Sequence, residues 1–462
     1  MKYYIFLLLL IISPFFLRAQ VSEIPERQTA KDSIHQAAMK NYEKMIQQKM
    51  IYERMMIENL QTAMDSVVRA KKMENKVKGQ QNLLALRKNQ RLDTLTSIDL
   101  SYMGLKKVPE FVLDAKNIKT LILDYNNIKK LPKGLDRLEK LEKIYWRSNQ
   151  LSNVKWIKIQ KIENVEKLDL SYNTLTRLPI GVKKIVGLKE LVLEENLYEE
   201  IPVRRLARAK SVKTLSLNKC GQLELGKSNY EKLDFLEVFK ANKCGLTSFD
   251  ASFYQMAALK ELQLQDNKIE VITDGISQMT ELTKLSFYKN NIHQIPDELY
   301  LLSNLLAVDF YYNELKVISE NLGKLEKLQV LFLSNNQIYS LPQSIGQLTD
   351  LEELYLHHNR ISVLPESIQY LKELSVFRVN SNYLIDFPNQ ILSLSNLEDI
   401  DVSDNKIADI PLKMEDFPKL KLFSFENNEI DLDNMENQDF VAMIYRMIQA
   451  GTICVPRVAL SN

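Results

Sequence analysis

One spacing governs this sequence. Aligned on Leu351, it reads Leu351-x-x-Leu354-x-Leu356-x-x-Asn359-x-Ile361-x-x-Leu364-Pro365. Residues Leu328, Leu331, Leu333, Asn336, Ile338, Leu341 and Pro342 fill the same slots 23 positions earlier. Leu374, Phe377, Val379, Asn382, Leu384, Phe387 and Pro388 fill them 23 positions later. The register runs from Leu95 to Ile430 in 15 copies at steps of 23 or 24 residues. Counting the first apolar residue as slot 1, copies begin at Leu95, Ile118, Leu141, Val165, Leu188, Val212, Leu236, Leu259, Leu282, Leu305, Leu328, Leu351, Leu374, Leu397 and Leu420. Slot 9 is Asn in 12 of the 15, with Met103, Cys220 and Cys244 as exceptions, and nine of the 13 prolines follow slot 14. A fixed period of this length marks a stacked solenoid.

The period accounts for the composition. The chain has 70 leucines among 462 residues but only 12 glycines, and the leucines are the repeat. Length alone suggests about three domains; the register replaces them with one long array. Slots 4 and 6 alternate with mostly polar neighbours, which predicts a short strand with one buried face per copy. No copy buries that face alone, so neighbours stack. A buried slot-9 Asn must bond backbone groups of its own and the adjacent turn, and Pro ends the ladder and turns the chain to the opposite side. Fifteen strands at ~4.8 Å give a sheet roughly 70 Å long.

In these residues the chain resembles the leucine-rich-repeat family, in its 23-residue Leu-Pro class, over residues 95–430. The resemblance extends to bacterial secreted leucine-rich-repeat proteins and to scaffold-type ones. It implies an α/β solenoid: a curved horseshoe with a parallel β-sheet on the concave side. Resembling proteins with ligase, kinase or GTPase activity carry a large extra domain. Residues 20–94 and 431–462 are too short to hold one.

The flanks divide the remainder. Lys2, an apolar run from Tyr3 to Leu17 and Arg18-Ala19-Gln20 read as a signal peptide at 1–19, cleaved after Ala19. The run is short for a membrane span, so no stable span is expected once the signal is removed. Residues 20–94 contain no repeat. Met39, Tyr42, Ile46, Met50, Ile57, Leu60, Met64 and Val67 form an apolar stripe, which predicts a helical segment with an imperfect coiled-coil pattern. It could pack on the first copy or self-associate. Residues 69–91 carry eight basic residues against Glu74, read as a solvated face or as contact with an acidic surface or anionic lipid. In 431–462, Phe440, Met443, Ile444, Met447 and Ile448 keep helical spacing, and Gly451 is a stop. This predicts a capping helix over 434–450 that closes the open end of the array.

No enzyme signature is present: the sequence has no phosphate loop, no Gly-x-Ser-x-Gly and no Cys-x-x-Cys. No cofactor and no metal are expected. His357 and His358, adjacent at a strand end, should point apart and suit a metal poorly. Cys220 and Cys244, one copy apart, read as two buried thiols, with a disulfide as the alternative. The net charge of +2 gives no push toward nucleic acid.

Slots 5, 7 and 8 should face outward from the sheet. In copies 9 to 12 they hold Tyr288, Tyr311, Tyr312, Phe332, Tyr355, His357 and His358. Rings so placed are the anchors interfaces use; the bland alternative is cross-strand stacking that steadies the sheet. Tyr102, Tyr125, Tyr145 and Tyr172 in copies 1 to 4 are read as the bland kind. Lys219, Lys240, Lys243 and Lys289 form a basic stretch diluted by nearby acids.

The sequence is thus read as a non-catalytic protein, secreted or held in the periplasm or cell envelope. It binds a protein partner, of unidentified kind, through the concave face. Two alternatives stay open: a glycan or cell-surface binder, and an intracellular signalling scaffold if residues 1–19 are not a signal.

Overall fold

Slots 3 to 5 of every copy form a three-residue strand, from β1 (Ser97–Asp99) to β15 (Leu422–Ser424). The structure, a computed structural model, describes residues 92–130, 132, 134–152, 163–225, 228–248, 251–430 and 438–455, with Met73, Glu74 and Val77. The expected signal peptide and nearly all of the expected N-terminal helical segment lie outside the described residues. All strands are parallel and pair in chain order, as where Val330, Leu331 and Phe332 of β11 (Val330–Phe332) meet Glu353, Leu354 and Tyr355 of β12 (Glu353–Tyr355). Slots 4 and 6 are buried in all 15 copies, from Ile98 and Leu100 to Phe423 and Phe425. These side chains form one continuous apolar column, which is the expected leucine-rich-repeat solenoid.

The asparagine ladder joins the copies. Asn336 donates through Nδ2 to the Phe310 carbonyl of the preceding copy at 2.9 Å and to its own Leu333 carbonyl at 3.0 Å. Its Oδ1 accepts the Leu315 N–H at 2.9 Å. The same three bonds recur at Asn359, Asn382 and Asn405. One buried amide therefore satisfies backbone groups of two copies at once.

The residue just before it, at slot 8, has a left-handed backbone in all 15 copies, with φ from 50° at Ser148 to 60° at Tyr102. For a non-glycine residue this costs on the order of 1 kcal/mol. It persists because the slot-8 N–H continues the sheet ladder, as where Asn335 donates to the His357 carbonyl at 2.8 Å. The three copies without Asn at slot 9 share a further feature. Each follows Met103, Cys220 or Cys244 with a glycine of positive φ: Gly104, Gly221 and Gly245. Where the amide is missing, the backbone turns through a second left-handed residue that only glycine adopts freely.

Cys220 and Cys244 are free and buried. Their thiols donate to the Leu193 and Leu217 carbonyls at 3.3 and 3.1 Å, the slot-6 carbonyls an Asn would take. Burial pushes the Cys220 thiol up to about 12 and the Cys244 thiol to about 11.

Opposite the sheet, prolines such as Pro342, Pro365 and Pro411 open short 3-10 turns. One copy instead makes an α-turn, α1 (Val203–Leu206). At the C-terminal end α2 (Gln438–Gln449) buries Phe440, Met443, Ile444 and Met447, and Phe440 packs edge-on to Phe425 at 5.6 Å. This helix lies within the expected capping helix, whose residues 434–437 fall outside the described residues, and Ile448 lies on its exposed side. A sixteenth strand, β16 (Ile453–Val455), then pairs with β15 and buries Cys454 against the column.

Replacing Asn336 with Ala removes the partner of three buried backbone groups, and a loss on the order of 3 kcal/mol is expected. The check is a lowered urea midpoint together with faster hydrogen exchange at the Leu315 amide. For the cysteines, intact mass should be the same with and without reductant, and Cys220 and Cys244 should resist alkylation until the chain is unfolded.

Candidate partner-binding surface

The geometry of slots 5, 7 and 8 follows from the ladder just described. Slot 5 ends the strand and stands out from the sheet. Slot 7 is next on that face. The left-handed turn at slot 8 then breaks the two-residue alternation of a strand, so slots 7 and 8 lie side by side. Thus Tyr311 and Tyr312 sit 4.5 Å apart by ring centroid, and His357 and His358 sit 5.6 Å apart, edge to face. The expectation that the two histidines point apart is therefore corrected: φ of 54° at His358 turns its ring onto its neighbour.

All seven expected rings are brought together. Phe332 and Tyr355, register partners on β11 and β12, stack at 4.7 Å and 12°. Tyr288 meets Tyr311 at 5.4 Å and Tyr312 at 6.0 Å. Tyr311 reaches across a whole copy to His357 at 5.5 Å, because slot 7 of that copy is the small Ser334. Tyr355 lies 6.4 Å from His357 on the other side. Polar contacts fix the rings. Ser334 Oγ bonds His357 Nδ1 at 2.8 Å, and Tyr355 donates its hydroxyl to Glu353 at 2.8 Å. Asp309 accepts the Ser286 hydroxyl at 2.7 Å and the Tyr311 N–H at 3.0 Å.

The phenols and His357 carry no charge at neutral pH, although Glu353, Asp309 and Lys289 stand among the rings. Burial, then the neighbouring His358 and Arg378, lowers His357 to about 4. Burial also raises Tyr288, and raises Tyr311 and Tyr355 well above the ordinary phenol value, helped by Tyr312 and by Glu353 respectively. His358 is exposed and the other six are half-buried, each partly covered by the next. Among the described residues no three His, Cys, Asp or Glu side chains are grouped to hold a metal ion.

The other sequence-derived clusters differ. Tyr102 and Tyr125 stack at 4.3 Å and 9°, while Tyr145 lies 5.8 Å from both Arg147 and Lys167. Arg147 is held by Asp169, whose carboxylate is fully buried. Burial, only partly offset by Arg147, raises the neighbouring Asp124 to about 6. The basic stretch is neutralised: Lys219 pairs with Glu195, Lys240 with Glu261, and Lys243 and Lys289 both with Asp266. A row of exposed apolar side chains lies apart from these clusters. Val271, Val317, Tyr339, Val363 and Ile385 line slots 12 and 13 on the flank just past the asparagines. Their slots lack a constant residue type, so only the exposed position reveals them.

A family profile described as "Leucine-rich repeat region" matches residues 311–450. Among the curated proteins none matches in sequence. Solved structures do match. A leucine-rich-repeat protein of Leptospira interrogans is 26% identical, with a TM-score of 0.61 over 80% of this chain and 97% of that one. The functional domain of InlJ from Listeria monocytogenes, whose structure includes a cysteine ladder, is 19% identical, with a TM-score of 0.56 over 74% of this chain and 70% of that one. Drosophila Toll, in its complex with Spatzle, is 20% identical, with a TM-score of 0.58 over 70% of this chain and 49% of that one. Register, sheet, ladder and profile agree on a leucine-rich-repeat solenoid, similar to these proteins over residues 95–430.

Proposed function

We propose that this chain is an exported, non-catalytic recognition protein that binds a protein partner through the sheet face of copies 9 to 12. The observation that carries the reading is the unbroken contact network of Tyr288, Tyr311, Tyr312, Phe332, Tyr355, His357 and His358. Its rings are held by one another and by Ser334, Glu353 and Asp309, so little ordering entropy is lost on binding. Aromatic anchors of this kind concentrate affinity. The Toll structure was solved as a complex with Spatzle, and the plant receptor RGFR1 with RGF2. That such architectures engage partners supports the reading. A protein is favoured over a glycan because Phe332 and Tyr355 stack on each other, which takes one face of each ring away from a sugar. A glycan array beside a protein pull-down separates these two.

Export rests on residues 1–19 as a cleaved signal, with residues 20–94 as a helical segment available for self-association, 95–430 as the repeats and 431–462 as the cap. Among the described residues no helix is long and apolar enough to cross a membrane. N-terminal sequencing of the mature protein should begin at Gln20; an intact Met1 points to an intracellular scaffold instead.

Two outcomes test the surface. Replacing Tyr311, Phe332 and Tyr355 together with Ala should weaken partner binding by about 100-fold or more while the circular dichroism spectrum stays native. Unchanged affinity would sink the proposal. The second concerns acid. His357 titrates near 6.5 when unfolded and near about 4 in place. The unfolded chain thus binds the proton first, and stability is lost as pH falls from about 6.5 to about 4. The groups facing the ring are His358, Tyr311, Tyr355, Ser334 and, through its charge, Arg378. Affinity should stay flat from pH 8 to about 5.5 and fall toward pH 4 as a cation forms among the rings. In His357→Gln that fall should be reduced, and in His357→Gln with His358→Gln it should be absent.

A further inference from the structure

The side of the solenoid away from the sheet carries a different chemistry in copies 4 to 6. Residues 176–189 contain Arg177, Lys183, Lys184 and Lys189 and no acid; residues 201–219 contain Arg204, Arg205, Arg208, Lys210, Lys213 and Lys219 and no acid. Stacking brings the two runs together. A cavity of about 270 Å³ opens between the 3-10 turn Ile180–Lys184 and α1, lined by Leu178, Pro179, Lys183, Arg204, Arg205 and Arg208. Cavities of about 330 and 450 Å³ adjoin it, bringing in Arg177 and Glu200 on one side and Lys232 on the other.

The local structure explains why these cations point outward. Arg205 is spent on architecture: its guanidinium donates to the Leu178 carbonyl at 2.5 Å and ties α1 to the preceding copy. Arg204 and Arg208, one helical turn apart, share one side of it and are exposed. Elsewhere in the array, cations meet an acid one copy away, as in Lys119–Glu142, Lys260–Glu237 and Lys421–Glu398. Within the two runs Lys189, Lys213 and Lys219 do the same. Arg177, Lys183, Arg204 and Arg208 make no ion pair among the described residues, and Glu200 is the one acid lining the three cavities.

We infer that this groove binds a linear glycan carrying sulfate or phosphate esters. Guanidinium forks match oxyanions of that geometry, and the cations run across three successive copies, as a polymer requires and a single anion does not. No aromatic residue lines any of the three cavities. That disfavours a nucleic acid, whose bases would stack, and a protein, whose interface core would seek aromatic anchors.

Heparin is the probe, and the full chain is the sample, because residues 69–91 carry a competing excess of charge. Binding is titrated at several salt concentrations for the unaltered protein, for Arg204→Glu with Arg208→Glu, and for Lys268→Glu with Lys316→Glu. The last pair is exposed, lies outside the groove and changes net charge equally. The groove variant should lose at least about 10-fold in affinity and show a shallower salt dependence. The control should change less than about twofold, and all three should melt alike. The inference is overturned if both variants lose affinity equally, if the groove variant loses none, or if polyglutamate competes as well as heparin at equal charge.

Discussion

The buried amide at slot 9 is the interaction on which the rest depends. Each strand is only three residues long, and no copy encloses its own apolar face. What fixes one copy to the next is an Asn side chain that bonds the backbone of both. Its reach sets the spacing, and a group so buried tolerates no unmet bond. The exceptions follow the same logic. At Cys220 and Cys244 a thiol still donates to the slot-6 carbonyl, a weaker bond to the same acceptor, and the backbone compensates with a glycine in the next position. Met103 lies in the first copy of the register.

The ladder also shapes the candidate surface. Continuing the sheet hydrogen bonds through slot 8 while aiming the slot-9 side chain inward forces slot 8 into the left-handed region in every copy. A strand would send slots 7 and 8 to opposite faces; this turn sets them side by side. Tyr311 beside Tyr312, and His357 beside His358, are products of that backbone rather than of any special pairing between the rings.

This explains what was legible in the sequence. Positions with a narrow role speak plainly: an apolar side chain, most often Leu, at slots 4 and 6, Asn at slot 9, Pro after slot 14. From them the sheet, its register and its column can be read, and so can the seven residues placed on one face. The relation between neighbouring rings is not legible, because strand alternation ends at slot 8, where a left-handed backbone turns His358 toward His357. The last strand was hidden for another reason. Ile453, Cys454 and Val455 carry no leucine and follow a helix inserted between them and β15, so the period is lost although the pairing continues. The flank apolars and the basic groove were invisible because they depend on what neighbouring copies leave uncovered, which no single copy records.

The two faces therefore differ in how they can hold a partner. On the sheet face, the phenols and, through burial, His357 are uncharged, so a partner bound there as proposed would be selected largely by the shape of the rings. On the opposite side, Arg204, Arg208 and Lys183 stand exposed without an ion pair among the described residues, and their attraction is long-ranged and screened within about 10 Å at 0.1 M salt. Since the groove lies in copies 4 to 6 and the rings in copies 9 to 12, a rigid array can engage both at once without either site altering the other. Binding at the two should then be thermodynamically independent, apart from the gain in effective concentration when both ligands belong to one surface.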